Sequence, residues 1–295
     1  MSDMTPLVSI IIPSLNESRK RLLDSLLKDI ETQTFQDFEI LVIRGDARQG
    51  RAINRGARMA QGNILLIFDD DSRLADEYVV ERVVRCVQED ASIGMAGAST
   101  LIPDWASPLQ KRAMAMLPRR FFPLVDQTMD SDMAQHPCCA IRKDVFWEVG
   151  GEREDIIRGL DPDLRHRIRQ AGYRVVIAPR CGIYHMLPDS YGGLMRMAFR
   201  NGMGSAFAQK KYPEWIVQTG DGVDEGFERW VPFRTRLARY PRRVAKTLLS
   251  GNLLLFSWLI MYAVGHACCS IWWWRRLETQ SRWEVQAGND SSRGQ

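Results

Sequence analysis

The stretch Gly62-Asn63-Ile64-Leu65-Leu66-Ile67-Phe68-Asp69-Asp70-Asp71-Ser72 decides the fold, because it joins an apolar run to a row of carboxylates. Five consecutive apolar residues before the aspartates predict a strand that is buried on both faces. In open α/β sheets, ligands bind outside the carboxyl ends of the strands, which is where the aspartates lie. Since side chains alternate along a strand, we expect Asp69 and Asp71 to point to one side and Asp70 to the other.

The three aspartates leave two interpretations open. Two carboxylates at the spacing of Asp69 and Asp71 can hold Mg²⁺ or Mn²⁺ against a substrate phosphate, since both cations prefer oxygen ligands. The same residues would also suit a solvated acidic turn, or a cap for the helix that follows. The neighbouring motifs have to decide between them.

Strands and helices alternate through the first hundred residues. Apolar runs predict strands at 7–12 and 38–43, and apolar residues at helical spacing predict helices at 22–30 and 48–60. This order, with short connections, predicts an α/β fold with a Rossmann-like, mostly parallel sheet flanked by helices. The run contains neither Gly-x-Gly-x-x-Gly after its first strand nor a P-loop sequence, so a dinucleotide dehydrogenase and a P-loop NTPase are both disfavoured.

Composition excludes some further classes of protein. The 295 residues, 45% of them hydrophobic, suffice for one large core or two smaller ones. The net charge of +4 is too weak to indicate nucleic acid as a partner. The six cysteines contain no Cys-x-x-Cys pair, which argues against a disulfide framework or a zinc site and favours a reduced, cytosol-facing protein. The polar residues 1–6 lead into the first strand, so we expect no signal peptide.

Two residues in the second part of the chain are candidates for chemistry. Asp161 precedes Pro162 at the start of a predicted helix at 163–170, so it is either a helix N-cap or a general base held at the helix N-terminus. His185 follows a predicted strand at 173–178. It is either an ordinary loop histidine or a third ligand for Mn²⁺ beside two carboxylates.

Taken together, the motifs resemble those of the family 2 glycosyltransferases over roughly residues 7–205. The motifs that carry the resemblance are Val8-Ser9-Ile10-Ile11-Ile12-Pro13-Ser14-Leu15-Asn16-Glu17, Gly50-Arg51…Asn54…Gly56…Ala60-x-Gly62, Asp69-Asp70-Asp71-Ser72, Phe146-x-x-Val149-Gly150-Gly151, Asp161-x-Asp163-Leu164-x-x-Arg167-x-x-x-Ala171-Gly172-Tyr173 and Tyr184-His185. The resemblance implies the GT-A fold over residues 1–210, with a nucleotide-sugar half at 1–100 and an acceptor half at 101–210.

The resemblance also implies where the donor binds. Pro13, Asn16 and Glu17 would line the nucleotide pocket, and Arg51 would lie near the base or the diphosphate. Asp69 would contact the ribose or the metal.

A metal and a base complete the site that the resemblance implies. Asp69 and Asp71 would bind Mn²⁺ or Mg²⁺, His185 would complete the metal site, and Asp161 would deprotonate the acceptor hydroxyl. The implied reaction is a single displacement with inversion at the anomeric carbon of the sugar.

Three departures from the family pattern bear on specificity. The family usually has a carboxylate after the second strand, where this chain has Arg44, so either Asp46 substitutes or the donor is unusual. The usual Glu-Asp pair reads Leu160-Asp161, which keeps the base without its acidic neighbour. The Gln-x-x-Arg-Trp motif of processive synthases is absent, which favours transfer of one sugar over polymerisation.

The C-terminal part predicts contact with a membrane. Seven basic residues and no acidic one lie between residues 229 and 246, within a predicted basic juxtamembrane linker at 211–247. Residues 248–274 are 27 positions without Asp, Glu, Lys or Arg, more than the roughly 20 needed to span a bilayer, and a polar tail at 275–295 follows. An in-plane amphipathic helix and a buried core helix are the alternatives. The heavier basic flank precedes the segment, which predicts a catalytic domain on the cytoplasmic face.

The leading hypothesis is therefore a metal-dependent inverting transferase that moves one sugar to an acceptor hydroxyl, with a lipid-linked or other sugar acceptor delivered at the membrane. A polyprenyl-phosphate glycosyl synthase shares the early motifs and is the enzymatic alternative. A nucleotide-sugar-binding membrane protein without activity is the other alternative, because of Arg44 and Leu160.

Overall fold

The computed structural model of the protein describes residues 5–15, 17–212 and 233–274. Within them, contacts divide the chain into two compact units. The first unit comprises the described residues up to 152 together with 161–187, and the second comprises 153–160, 188–212 and 233–274. The contacts group residues 188–212 with the C-terminal helices. The predicted domain boundary at residue 210 stays a prediction.

The first unit is built on one mixed sheet. Its strands are β1 (Val8–Ser14), β2 (Phe38–Arg44), β3 (Ile64–Ile67), β4 (Ser72–Leu74), β5 (Ile93–Leu101), β6 (Met129–Asp130), β7 (Cys139–Arg142) and β8 (Arg174–His185). The spatial order is β2-β1-β3-β7-β5-β8-β4, with β6 beside β8. Strands β2, β1 and β3 are parallel, as are β5 and β8, whereas β7 is antiparallel to both of its neighbours. The predicted α/β fold with a mostly parallel sheet flanked by helices is confirmed.

Helices cover both faces of the sheet. They are α1 (Lys20–Glu31), α2 (Gln49–Met59), α3 (Val79–Glu89), α4 (Pro108–Met116), α5 (Lys143–Glu148) and α6 (Leu160–Gln170), with a short 3₁₀ turn at Glu17–Arg19. On one face, Val8, Ile10 and Ile12 of β1 pack with apolar residues of α1 and α3. On the other face, Ile11 packs with residues of α2, α5 and α6. Alternate side chains of β1 thus contribute to two separate core layers, one on each face of the sheet.

The reversed strand β7 is the main feature that periodicity did not predict. Its residues are small or apolar and buried, and it pairs with β3 from Ile64↔Arg142 to Ile67↔Cys139. Because β7 runs against β3, the residues that precede β7 lie at the same edge of the sheet as the carboxyl end of β3. This edge carries the three aspartates.

The second unit is helical in its described part. It contains α7 (Tyr191–Lys211), α8 (Phe233–Leu249) and α9 (Leu253–Cys268), which continues into a π-helical turn at Cys269–Trp273. Helices α7 and α9 cross at two glycines: a Cβ on Gly202 would lie 2.0 Å from the carbonyl oxygen of Tyr262, and a Cβ on Gly265 would lie 2.1 Å from that of Phe199. Only glycine fits at this crossing.

One helix in the described residues is long and apolar enough to cross a membrane. It covers Leu253–Trp272, 20 residues with a mean hydropathy of 1.7, and 28% of it is buried. Length and composition are the only basis for this assignment, and a core helix of a soluble protein can share both.

Candidate active site

Asp69, Asp71 and His185 form one cluster at the carboxyl edge of the sheet. A tight turn follows β3, in which the backbone N–H of Ser72 donates to the carbonyl of Asp69 at 3.0 Å. Strand β4 then pairs with β8 in the register Ser72↔His185, which brings the last residue of β8 beside the turn. The Nε2 atom of His185 lies 3.2 Å from Oδ1 of Asp71 and 3.9 Å from Oδ2 of Asp69.

Asp70 is not part of this cluster and has partners of its own. Strand β3 ends at Ile67, so the turn, rather than strand alternation, separates the carboxylates. Asp70 is buried, accepts a hydrogen bond from Oγ of Ser14 at 2.9 Å and pairs with Nε of Arg19 at 2.9 Å. Arg19 also pairs with Asp71. The hydrogen bond between Asp70 and Ser14 therefore links the turn to the end of β1.

The charges of the cluster depend on each other. Burial, partly offset by His185, raises the pKa of Asp69 to about 6. Burial acts in the same direction on Asp71, but the hydrogen bond and charge of His185 and the charge of Arg19 lower the pKa of Asp71 to about 2. Burial disfavours the imidazolium of His185, yet Asp71 and Asp69 together raise the pKa of His185 above its usual range. The carboxylates thus favour a proton on His185, and a cation bound to all three side chains would replace that proton.

The donor set of the cluster suits a divalent cation. One ligand atom from each of Asp69, Asp71 and His185 lies within 4.8 Å of the others. Two carboxylates and one imidazole are a set that Mn²⁺ accepts, and the carboxylates alone suit Mg²⁺. The residues present therefore fit the predicted metal.

The predicted donor pocket is described in part. Pro13 lies near the carboxyl end of β1, opposite Ile43 of β2 and beyond the last residue of β1 that pairs with β3. Asn16 lies outside the described residues, and only the backbone of Glu17 is described. Arg51 makes a two-point ion pair with Asp46, Nε to Oδ2 at 2.7 Å and Nη2 to Oδ1 at 2.8 Å.

Gln49 is a neighbour of Asp69 that the motifs did not single out. Its Nε2 atom donates to Oδ1 of Asp69 at 2.6 Å. Gln49 is the first residue of α2, so the start of this helix binds Oδ1 of Asp69. The other carboxylate oxygen of Asp69, Oδ2, is the one nearer to His185.

Asp161 lies near the cluster and is bound by a residue that sequence reasoning missed. The helix α6 begins at Leu160, three residues earlier than predicted, so Asp161 belongs to the first turn rather than the N-cap. Its Oδ1 atom accepts the backbone N–H of His136 at 2.7 Å and lies 3.1 Å from Nδ1 of the same histidine. On the other side of the ring, Nε2 of His136 lies 2.7 Å from Oε1 of Glu152. The electrostatic interaction of Asp161 with Asp69 links this group to the cluster.

Comparison with known proteins agrees with the motifs. Residues 42–150 match the family model described as glycosyl transferase family 2. This segment is therefore similar to the glycosyl transferase family 2. No curated protein matches it.

Two solved structures are similar to this chain at low sequence identity, and the first of them shares its fold. The mannosyltransferase PcManGT from Pyrobaculum calidifontis, solved in complex with GDP-Man and Mn²⁺, is 15% identical with a TM-score of 0.56, and the match covers 92% of this chain and 88% of that one. TarS residues 1–349 from S. aureus are 12% identical with a TM-score of 0.47, over 88% of this chain and 90% of that one.

The loop before α6 explains part of the transferase motif. Nη1 of Arg167 donates to the carbonyls of Val149 and Gly151, both at 2.6 Å, while Nη2 of the same residue binds Asp163 at 2.7 Å. The side chain of Asn54 both donates to and accepts from the backbone of Glu152, each at 2.8 Å. Motif residues of α2 and α6 therefore fix the backbone that carries Glu152.

Arg120 is a further cation of the transferase site that the motifs did not predict. Its charge interacts with those of both Asp161 and His185. Burial lowers the pKa of Arg120 below its usual value. Among the residues that the structure describes, none forms a hydrogen bond or ion pair with this guanidinium.

Proposed function

We propose that this protein is a metal-dependent inverting glycosyltransferase that moves one sugar from a nucleotide-sugar to the hydroxyl of an acceptor. The observation that carries the proposal is the convergence of Asp69, Asp71 and His185 with Asp161 at one edge of the sheet. A displacement reaction needs the leaving group and the base close together, because the reacting atoms must approach to about 3–3.5 Å.

The donor side rests on the aspartate cluster. The structurally similar mannosyltransferase was solved with GDP-Man and Mn²⁺, which supports a nucleotide-sugar donor and a divalent cation for this chain as well. A cation held by Asp69, Asp71 and His185 would supply positive charge where the nucleoside diphosphate leaves. Pro13, Asn16, Glu17, Arg51 and Asp69 stay the predicted donor contacts.

The sequence predicted that Arg51 lies near the base or the diphosphate, but the structure favours Arg120 for the diphosphate contact. Asp46 already engages the guanidinium of Arg51 through two atoms. Arg120 lies beside the metal cluster with no such partner among the described residues. We therefore assign Arg120 to the diphosphate, with Arg51 shaping the pocket through Asp46.

The base side rests on Asp161. The acceptor oxygen forms a bond to the anomeric carbon while the bond from that carbon to the phosphate oxygen breaks, and the electron pair leaves with the nucleoside diphosphate. Asp161 takes the hydroxyl proton, an effect typically worth about 10²–10⁴-fold in rate. A carboxylate in the first turn of α6 also benefits from the helix dipole, which favours negative charge there.

The second unit supports contact with a membrane. Helix α8 carries exposed basic side chains, and α9 exposes large apolar ones. The apolar members are Leu253, Ile260 and Val264. Basic and apolar side chains in succession suit an anionic membrane surface, and we place the catalytic unit on its cytoplasmic face. The acceptor would then be a lipid-linked glycan precursor.

Arg120 also favours one alternative. A guanidinium beside the proposed base would suit a phosphate acceptor, as in a polyprenyl-phosphate glycosyl synthase. Analysis of the lipid product separates the two reactions, because one product has a glycosidic bond to a hydroxyl and the other to a phosphate.

A donor panel tests the proposal. The full chain is heated with Mn²⁺ and GDP-mannose, UDP-glucose or UDP-N-acetylglucosamine, and a donor that binds only the native state raises the melting temperature. We expect Asp161→Asn to keep the shift and to lose release of the nucleoside diphosphate. Release by Asp161→Asn at the wild-type rate would contradict the proposal, and binding without release by the wild type would favour a non-catalytic binding protein.

A further inference from the structure

A buried histidine bridges two carboxylates at the base side of the site. The ring of His136 has Nε2 2.7 Å from Oε1 of Glu152 and Nδ1 3.1 Å from Oδ1 of Asp161. The side chain of His136 is 2% exposed and that of Glu152 is fully buried. Both ring nitrogens are therefore committed to carboxylates, and solvent competes for neither.

Charge balance requires a cation at this position. A buried carboxylate without a partner costs several kcal/mol, so Glu152 needs a charged or strongly donating neighbour. Burial disfavours the imidazolium, but the charges of Asp161 and Glu152, with a smaller effect of Asp69, raise the pKa of His136 to about 10. At neutral pH both ring nitrogens then carry protons: Nε2 donates to Glu152, and the positive charge lies beside Asp161.

His136 is held from several elements at once. Ala134, two residues before it, lies so close to β5 that a Cβ on Gly97 would be 2.5 Å from the Cα of Ala134. Arg165 of α6 donates to the carbonyl of Ala134. Glu152 is fixed through its backbone by Asn54 of α2, as described above. The ring therefore has little freedom to turn.

Asp161 is held on one side only. Its Oδ1 atom accepts the backbone N–H of His136 and lies 3.1 Å from Nδ1 of the same residue, within ion-pair distance. In the described part of the chain, no other residue donates a hydrogen bond to Oδ2, and the side chain remains 27% exposed. One oxygen is thus bound, and part of the side chain stays exposed.

We propose that His136, anchored by Glu152, is a positioning residue that fixes Asp161 with Oδ1 occupied and Oδ2 directed at the acceptor hydroxyl. The inference rests on the proposed role of Asp161 as general base. In the reaction, the hydroxyl proton passes to Oδ2, and His136 keeps both of its protons before and after the transfer. Its contribution is orientation and a fixed positive charge beside the carboxylate.

Two variants of His136 separate positioning from a purely structural ion pair. In His136→Asn, the side-chain amide can still donate from near the Nδ1 position to Asp161, but the contact with Glu152 is lost. In His136→Gln, the longer amide can reach Glu152 and the Nδ1 donor is lost. His166→Asn is the matched control, since this histidine lies on the same helix as Asp161 and outside the bridge.

The assay follows release of nucleoside diphosphate with water as the acceptor. The donor is whichever of GDP-mannose, UDP-glucose and UDP-N-acetylglucosamine stabilises the wild type most in Mn²⁺. We expect kcat of His136→Gln to fall about 10- to 100-fold with an unchanged donor KM, since misplacement of about 1 Å can cost 10²-fold. We expect His136→Asn to lose no more than about 5-fold, because the donor to Asp161 is retained.

The pH profile is the second readout. Asp161 is surrounded by His136, Arg165 and Arg120, and by the like charge of Asp69. Burial favours its neutral form, but the charges of His136 and Arg165 lower the pKa of Asp161. Loss of the His136 charge should move the acid limb of kcat upward, by about one pH unit, in both variants.

The outcomes separate this inference from the proposed function. If wild type, His136→Asn and His136→Gln have equal kcat but both variants are less stable, the bridge is only a structural ion pair. That result would overturn this inference and leave the proposed function standing. No release by the wild type from any of the three donors would overturn the proposed function and the inference with it. If neither His136 variant folds, Glu152→Gln carries the test: a lower kcat with an unchanged donor KM supports positioning, and wild-type kinetics contradict it.

Discussion

The Nε2 atom of His185 lies 3.2 Å from Oδ1 of Asp71, although the two residues are far apart in the sequence. The antiparallel pairing of β4 with β8 produces this contact, because Ser72 is opposite His185. A histidine at the end of one strand and a carboxylate in the preceding turn of another thus meet through backbone register alone. The contact makes the metal assignment testable with single substitutions.

Asp71→Asn is expected to abolish stabilisation by Mn²⁺. In the wild type, Mn²⁺ should raise the melting temperature, because a ligand that binds only the folded state shifts the equilibrium by mass action. Replacing one ligand oxygen with an amide removes a negative charge from the site. The measurement is the melting temperature with Mn²⁺ and with EDTA. Asp126→Asn is the control, since the side chain of Asp126 is 88% exposed; an undiminished Mn²⁺ shift in Asp71→Asn would refute the metal assignment.

Arg120→Gln is expected to weaken binding of the nucleoside diphosphate by about 10- to 100-fold. This corresponds to roughly 1.5–3 kcal/mol for a hydrogen bond to a charged group. Isothermal titration with GDP and UDP in Mn²⁺ measures the effect, and Arg85→Gln on the exposed face of α3 is the control. Unchanged diphosphate binding with reduced transfer to a polyprenyl phosphate would instead assign Arg120 to a phosphate acceptor.

The stability of the protein should depend on His136 in a defined pH range. An unfolded histidine titrates near pH 6.5, whereas the pKa of His136 in the folded protein is about 10. A raised pKa means that the charge stabilises the fold fully below pH 6.5, and that this contribution is lost as the pH rises toward 10.

The measurement is urea denaturation in EDTA at several pH values. The difference in free energy of unfolding between wild type and His136→Gln should shrink from pH 6.5 to 10, while that between wild type and His166→Gln should show no such trend over this range. A His136→Gln difference that stays constant with pH would show that the bridge is neutral.

Gly202→Val should destabilise the helical unit. A Cβ on Gly202 would lie 2.0 Å from the carbonyl oxygen of Tyr262, and a backbone atom cannot turn aside as a side chain can. Overpacking of this kind typically costs about 1–3 kcal/mol. Gly192→Ala on the same helix is the control, because a Cβ there meets nothing within 4 Å. Thermal melting compares them, and equal melting temperatures would contradict the close crossing of α7 and α9.

The exposed basic residues of α8 should bind anionic vesicles. Each Lys or Arg near such a surface contributes about 1 kcal/mol, so replacing Arg239, Arg242 and Lys246 with Gln should weaken binding about 100-fold. Sedimentation of the full chain with phosphatidylglycerol vesicles measures this, with phosphatidylcholine vesicles for comparison. The control replaces Lys28, Arg85 and Arg180, exposed residues of the first unit, with Gln. If both triple variants lose the same amount of vesicle binding, the binding depends on net charge rather than on α8.

The sequence predicted those parts of the molecule that depend on local pattern. Apolar runs placed β1, β2 and β3 within a few residues, since burial of a strand leaves a continuous signal. The predicted grouping of Asp69, Asp71 and His185 is found in the structure, because the motifs resemble a known family and the register of β4 and β8 follows its fold. Their roles in binding remain predictions.

The base side of the site could not be predicted in the same way. His136 belongs to no motif, and its place depends on the direction of β7, which long-range pairing with β3 and β5 decides. One signal was available for Glu152: an acidic residue directly after the paired glycines of a motif, Gly150 and Gly151. Burial of this carboxylate requires a cation nearby, and that requirement could have directed attention to a histidine.

The reversed strand β7 has a consequence for how the protein folds. It is hydrogen-bonded to β3 on one side and to β5 on the other, so it closes the gap between the first three strands and the rest of the sheet. A fragment that ended at residue 100 would contain β1 to β4 and nearly all of β5 but would leave the edge of β3 unpaired, and such edges promote aggregation. We therefore expect neither the nucleotide-sugar half nor the acceptor half that the resemblance implies to form a complete sheet without the other.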